Sequence, residues 1–142
     1  MLDTLAYHVT ILSRSFSAYT GCVLDQLGLS QGLLYPVLYI GRHPGCTQAE
    51  LTEALGLDWG YCQRSVIRLT EDGFLTREKH GRAYRLSLSE KGKQAFAASH
   101  QVFFDWDADT LDGLDQTERA QLLALLRKIK PKEANTKLCT RR

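Results

Sequence analysis

No stretch of the sequence approaches the roughly 18 to 20 apolar residues that cross a bilayer, so a membrane partner is not expected. The opening residues, Met1-Leu2-Asp3-Thr4, lack the basic start and apolar stretch of a secretion signal, and a cytoplasmic location is the expectation. Cysteine is sparse and scattered. Cys22, Cys46, Cys62 and Cys139 form no Cys-x-x-Cys, which excludes a zinc ribbon and gives no sign of a secreted disulfide scaffold; free thiols are expected. There is no glycine-rich phosphate loop, no Gly-x-Ser-x-Gly and no His-Glu-x-x-His, so the sequence offers no catalytic class, cofactor or metal. His43-x-x-Cys46 beside Pro44 holds two metal-ligand types but reads as a turn, because a third and fourth ligand are missing. Nor is there a strong charge of one sign: the formal net charge is +2.

The distribution of charge is more informative. Arg64, Arg68, Arg77, Lys79, Arg82, Arg85, Lys91 and Lys93 make the middle of the chain basic. By contrast, Asp105, Asp107, Asp109, Asp112, Asp115 and Glu118 follow one another without a base, as a solvated helix end and loop would. Such an asymmetry suits a protein with one surface turned to phosphate. At 142 residues with 44% hydrophobic content, the chain can build one compact domain over residues 1–130, followed by a flexible basic tail over 131–142.

Apolar residues at Leu5, Val9, Leu12, Phe16, Tyr19, Val23 and Leu27 predict one long amphipathic helix over about 3–27, stopped by Gly28. A second helix from Ser30 to about Gly41 is expected to kink or start late at Pro36. Thr47 followed by Glu50 predicts a capping box for a short third helix that buries Leu51 and Leu55. Asp58 opens a fourth helix running to Asp72, where Gly73 stops it. Two helices joined by so short a link are a helix-turn-helix candidate. Residues 74–79 and 83–88 flank His80-Gly81-Arg82 and predict a two-stranded hairpin. Ser89 and Glu90 begin a fifth helix with Ala95, Phe96, Val102, Phe103 and Trp106 on it. Asp115 or Thr117 begins a sixth that carries Leu122, Leu123, Leu125, Leu126 and Ile129.

At about 100° per residue, Cys62, Val66 and Leu69 share one side of the fourth helix. Gly60, Gln63, Arg64 and Ile67 share the other, flanked by Tyr61 and Arg68. One side is therefore core and the other open. Gln can pair with an adenine edge and Arg with a guanine edge in the major groove, while Gly60 leaves room for a close phosphate. An ordinary surface helix would also carry such residues, but the basic hairpin that follows weighs against that reading. Arg77, Lys79, Arg82 and Arg85 have little structural use on an isolated ribbon, whereas its tip can place Arg82 in an adjacent minor groove.

With these features in hand, the sequence resembles the MarR family of bacterial regulators from about residue 5 to residue 130. The likeness is densest over Thr47-Gln48-Ala49-Glu50-Leu51, Arg64-Ser65-Val66-Ile67-Arg68-Leu69, Asp72-Gly73-Phe74-Leu75-Thr76-Arg77 and Leu86-Ser87-Leu88-Ser89-Glu90-Lys91-Gly92. It implies a mainly α fold with a small β-hairpin wing: a winged helix-turn-helix over about 30–88 with dimerisation helices over about 3–27 and 89–130. It also implies a homodimer, interlocked through its first, fifth and sixth helices, that represses from a near-palindromic site on double-stranded DNA. The residues expected on DNA are Thr47, Gln48, Trp59, Gly60, Tyr61, Gln63, Arg64, Arg68, Arg77, Lys79, His80, Arg82 and Arg85. Arg82 matches the arginine of the family's Asp-x-Arg wing pattern, but His80 stands in place of the aspartate. The resemblance further implies a small aromatic or phenolic effector, for which Tyr7, His8, Tyr35 and Tyr39 are candidate pocket residues; the alternative is that these rings serve core or dimer contacts. Cys22 and Cys46 are candidate redox sensors, a role requiring an exposed, stabilised thiolate. A third reading recruits the winged helix to an acidic protein partner.

Overall fold

The computed structural model describes residues 2–131; the expected basic tail and Cys139 lie outside the described residues. It divides into two compact units, residues up to Trp106 and residues from Asp107 onward.

In the first unit, helix α1 (Leu5–Leu27) is capped by the Thr4 hydroxyl, which accepts from the Tyr7 amide. The expected apolar stripe is only half used within the chain. Thr20 and Leu24 are buried and Phe16 and Leu27 pack on the core, but Leu5, Val9 and Leu12 remain exposed. The inward row thus runs through 16, 20, 24 and 27, and the first two turns of the stripe stay exposed among the described residues. A single 3₁₀ turn, Gln31–Leu33, then leads into helix α2 (Leu34–Arg42). The late start anticipated at Pro36 is therefore what occurs: proline falls in the first turn of α2, where its missing N–H would have had no partner.

Thr47 and Glu50 close the capping box of α3 (Gln48–Leu55) reciprocally, Thr47 N to Glu50 Oε2 at 3.1 Å and Glu50 N to Thr47 Oγ1 at 3.2 Å. Gly56 leaves α3 at φ 62°, a left-handed turn that lets α4 (Trp59–Glu71) begin after Leu57 and Asp58. Asp58 caps α4 by accepting from the Tyr61 amide at 3.1 Å. Cys62, Val66 and Leu69 are fully buried on the core side of α4, joined by Leu51 from α3 and by Val37 and Ile40 from α2.

The wing holds one strand more than a hairpin. Strands β2 (Leu75–His80) and β3 (Ala83–Leu88) pair antiparallel, and β1 (Cys46–Thr47) pairs with the outer side of β3 to give the order β1-β3-β2. Cys46 lies opposite Leu86 and Thr47 opposite Arg85, so the ribbon is bonded directly to the start of α3. Gly81, at φ 64°, takes the first central position of the two-residue tip, as a type II′ hairpin requires.

Helix α5 (Glu90–Thr110) starts beneath the wing. The Ser89 hydroxyl accepts from the Gly92 amide at 3.0 Å, and Lys91 donates to the Asp72 carbonyl at 2.8 Å while covering the Phe74 ring. Gly92 packs on the Phe74 carbonyl so closely that a Cβ there would collide with backbone. Gly92→Ala is accordingly expected to destabilise the fold by about 1–3 kcal/mol or more, seen as a lowered melting temperature, since backbone cannot yield as a side-chain tip can. Further along α5, Trp106 Nε1 donates to Ser15 Oγ of α1 at 3.2 Å, and the Phe16 ring packs against Phe103 and Trp106.

The second unit holds α6 (Gln116–Lys128), opened by a capping box between Asp115 and Glu118. None of its residues is buried: Leu123, Leu125, Leu126 and Ile129 are all exposed, so its apolar residues build no core of their own.

Candidate nucleic-acid interface

Three elements converge on one surface: the N-terminus of α3, the N-terminal half of α4 and the wing. On α4, Gln63 and Arg64 are exposed, and neither makes a hydrogen bond or ion pair among the described residues. Arg64 lies back along the helix, its Nη1 3.3 Å from where a Cβ on Gly60 would sit, with the Asp58 carboxylate at 3.2 Å from the same point. Gly60 therefore makes room for Arg64, a use the sequence did not suggest. Arg68, one turn further on, is paired with Asp72 at 3.3 Å.

Residues opposite one another on paired strands share a face, so the ladder sorts the wing residues into two sets. Arg77 and Lys79 stand with Leu86 and Tyr84 on the face continuous with the core; Glu78 and His80 stand with Arg85 and Ala83 on the other. Arg77 covers the Tyr84 ring at 4.9 Å. Together with Thr47, Gln48, Ala49, Trp59, Arg82 and Ala83 these two line a cleft of about 330 Å³ between helices and wing. Thr47, Gln48, Trp59, Arg77 and Arg82 are thus brought together as expected of a single surface, and Tyr84 joins them. Strand alternation, which sets Tyr84 on the face of Arg77, was the available signal for it.

Arg85 and His80 depart from the expected arrangement. Arg85 donates to the Gly45 carbonyl at 3.0 Å, which ties β3 to the turn before α3. His80 Nε2 lies 3.3 Å from Glu78 Oε2, an exposed pair within one strand, with the acid two residues before the position where the family pattern has one. Both residues are drawn to the far face by the two-residue alternation of their strands.

The other candidate residues do not form one site. Tyr7 and His8 touch each other near the start of α1 and line none of the larger cavities, whereas Tyr35 and Tyr39 share a cavity of about 420 Å³ with Leu38, Arg42, His43, Leu55, His100, Phe103 and Phe104. Cys22 is exposed. Cys46 does not meet the condition for a sensor: it is buried, and desolvation, with the Glu50 carboxylate adding to it, pushes its thiol up to about 11. At pH 8 only about one Cys46 in a thousand is thiolate, so iodoacetamide is expected to leave it unmodified while the fold is intact; rapid alkylation there would refute this. His43 packs against Tyr39 with the ring centroids 4.4 Å apart and the planes tilted by 35°, and its carbonyl accepts from the Cys46 amide, which makes this segment a turn.

An open polar helix face, preceded by a capped helix and flanked by a basic ribbon, defines a winged helix-turn-helix protein. Residues 37–85 match the model of the MarR family, and the HTH-type transcriptional regulator BilQ of Clostridium symbiosum (strain WAL-14163) is 42% identical over 146 residues, covering 100% of both chains. The chain belongs to the MarR family of transcriptional regulators, and neither its relatives nor its fold are those of an enzyme. A crystal structure of MarR superposes with a TM-score of 0.80 at 27% identity over 90% of each chain. A MarR family regulator from Listeria monocytogenes, crystallised with a 26mer DNA, has the same fold, with a TM-score of 0.76 and 19% identity over 89% of this chain and 87% of that one. No helix among the described residues is long and apolar enough to cross a membrane.

Proposed function

We propose that the protein is a repressor that binds a near-palindromic promoter site as a homodimer, and that a small aromatic or phenolic effector modulates it. The observation that carries the reading is the open α4 face, where Gln63 and Arg64 stand exposed beside the cleft holding Arg77 and Arg82. Gln63 and Arg64 take the base edges in the major groove. Thr47, Gln48, Trp59 and Lys79 hold the phosphates, and Arg82 at the turn enters the neighbouring minor groove. The Listeria regulator crystallised with a 26mer DNA shares the fold, which supports DNA as the partner.

The dimer is supported by the exposed Leu5, Val9 and Leu12 on α1 and, independently, by the exposed leucines of α6, because apolar rows of this kind seek cover. For the effector, the cavity at Tyr35 and Tyr39 offers aromatic walls with Arg42, His43 and His100 among its lining groups, a composition that suits a planar molecule with a phenolic or anionic group. Retardation of the protein's own upstream DNA across a salt series tests the reading. Affinity is expected to fall linearly on logarithmic axes as salt rises, and an absence of any salt-sensitive complex would contradict it.

A further inference from the structure

We propose that Tyr61, although it lies on the recognition helix, is a positioning residue that latches α4 to the 3₁₀ turn at Gly32 and so sets how Gln63 and Arg64 are presented; this rests on reading α4 as the DNA-reading helix. An ideal Cβ built on Gly32 would stand 2.6 Å from the Tyr61 hydroxyl oxygen and 3.9 Å from the ring carbon that bears it. Glycine at this position is not required by the backbone, since Gly32 is absent from the residues with positive φ. The space that a side chain would take there is filled by the Tyr61 hydroxyl.

The same ring is a wall shared by two cavities. On one side lies a space of about 540 Å³ among α1, α2 and α3, lined by Phe16, Thr20, Tyr35, Leu55 and Leu57 among others. On the other lies a groove of about 290 Å³ that Tyr61 and Gly32 share with Ser30, Arg64 and Arg68. The 3₁₀ turn itself packs against α1, α2 and α4, and Leu33 within it is buried. The backbone that carries the ring is held within α4, where the Tyr61 amide donates to Asp58 and its carbonyl accepts from Ser65. With its backbone fixed in α4 and its hydroxyl seated against Gly32, the side chain couples the place of the α1–α2 connection to the first turn of α4.

The distances prescribe the test. In Gly32→Ala the Tyr61 hydroxyl must leave; in Gly32→Ala combined with Tyr61→Phe the new methyl group meets only the ring edge at an ordinary distance. Operator binding and melting temperature are measured for wild type, Gly32→Ala, Tyr61→Phe and the double variant. Gly32→Ala is expected to weaken binding about tenfold, and the double variant to regain the affinity of Tyr61→Phe within about threefold, with melting temperatures rescued in parallel. Tyr61→Ala should weaken all DNA sequences alike. A double variant that binds no better than Gly32→Ala overturns the latch, as does a Tyr61→Ala protein that loses preference at one base pair only. If wild type itself retards no DNA, the repressor reading fails, and the latch contact is then decided by whether the double variant melts above Gly32→Ala.

Discussion

Replacing Arg64 by alanine is expected to weaken operator binding by about 1–3 kcal/mol and to relax sequence preference at one base pair, whereas Lys79→Ala should weaken every DNA sequence alike and lower the salt slope by about one. The two effects differ because of where the groups stand. Arg64 rises from a helix face whose far side is fixed in the core by Cys62, Val66 and Leu69, so in the proposed complex its guanidinium would be carried to a base edge on a fixed backbone. Lys79 stands near the tip of a six-residue strand, suited to a phosphate whose position varies little with sequence. Quantitative retardation on the operator and on variants of it measures both. An Arg64→Ala protein with unchanged base preference would show that the helix does not read sequence.

The second large effect concerns α1. Val9→Asp with Leu12→Asp is expected to convert the proposed homodimer into a monomer and to reduce operator affinity by about a hundredfold or more, because each half-site then has to be bound alone. Val9 is 50% and Leu12 43% exposed in the single chain, one helical turn apart on the row that Phe16 continues into the core. Across a two-fold axis each aspartate would be desolvated near its own copy, so the substitutions act twice. Light scattering reads the change in mass, and circular dichroism shows that the helices persist. A variant that stays dimeric and binds normally would place the dimer contact elsewhere.

The features legible in the sequence are those determined within a few residues. The capping box at Thr47/Glu50 forms as spaced, Asp115 rather than Thr117 caps the sixth helix, and the buried and open sides of α4 follow its period. Pairing at long range was not legible. Strand β1 exists because Cys46 meets Leu86, forty residues away, and Arg85 is diverted to Gly45 by the same pairing. A two-residue strand carries no alternation to read, and an arginine on a basic ribbon looks the same whether it faces phosphate or a carbonyl. The stripe of α1 reads as one amphipathic face, and periodicity reports that a row is apolar, not which molecule covers it; Leu5, Val9 and Leu12 stay exposed among the described residues. Tyr61 posed the same difficulty at smaller scale: its place on the helix wheel suggested DNA, and only the approach of Gly32 shows where its hydroxyl goes.

The central claim, that the α4 face with its flanking wing reads a two-fold DNA site, is tested most directly by selecting bound fragments from genomic DNA and mapping the contacts. The account predicts an enriched near-palindrome, with major-groove contacts in two half-sites separated by one helical turn or a multiple of it, about 34 Å per turn, and a motif that loses its preference at one base pair of each half-site with Arg64→Ala. Fragments without a common motif, or a motif that Arg64→Ala recovers unchanged, would contradict it.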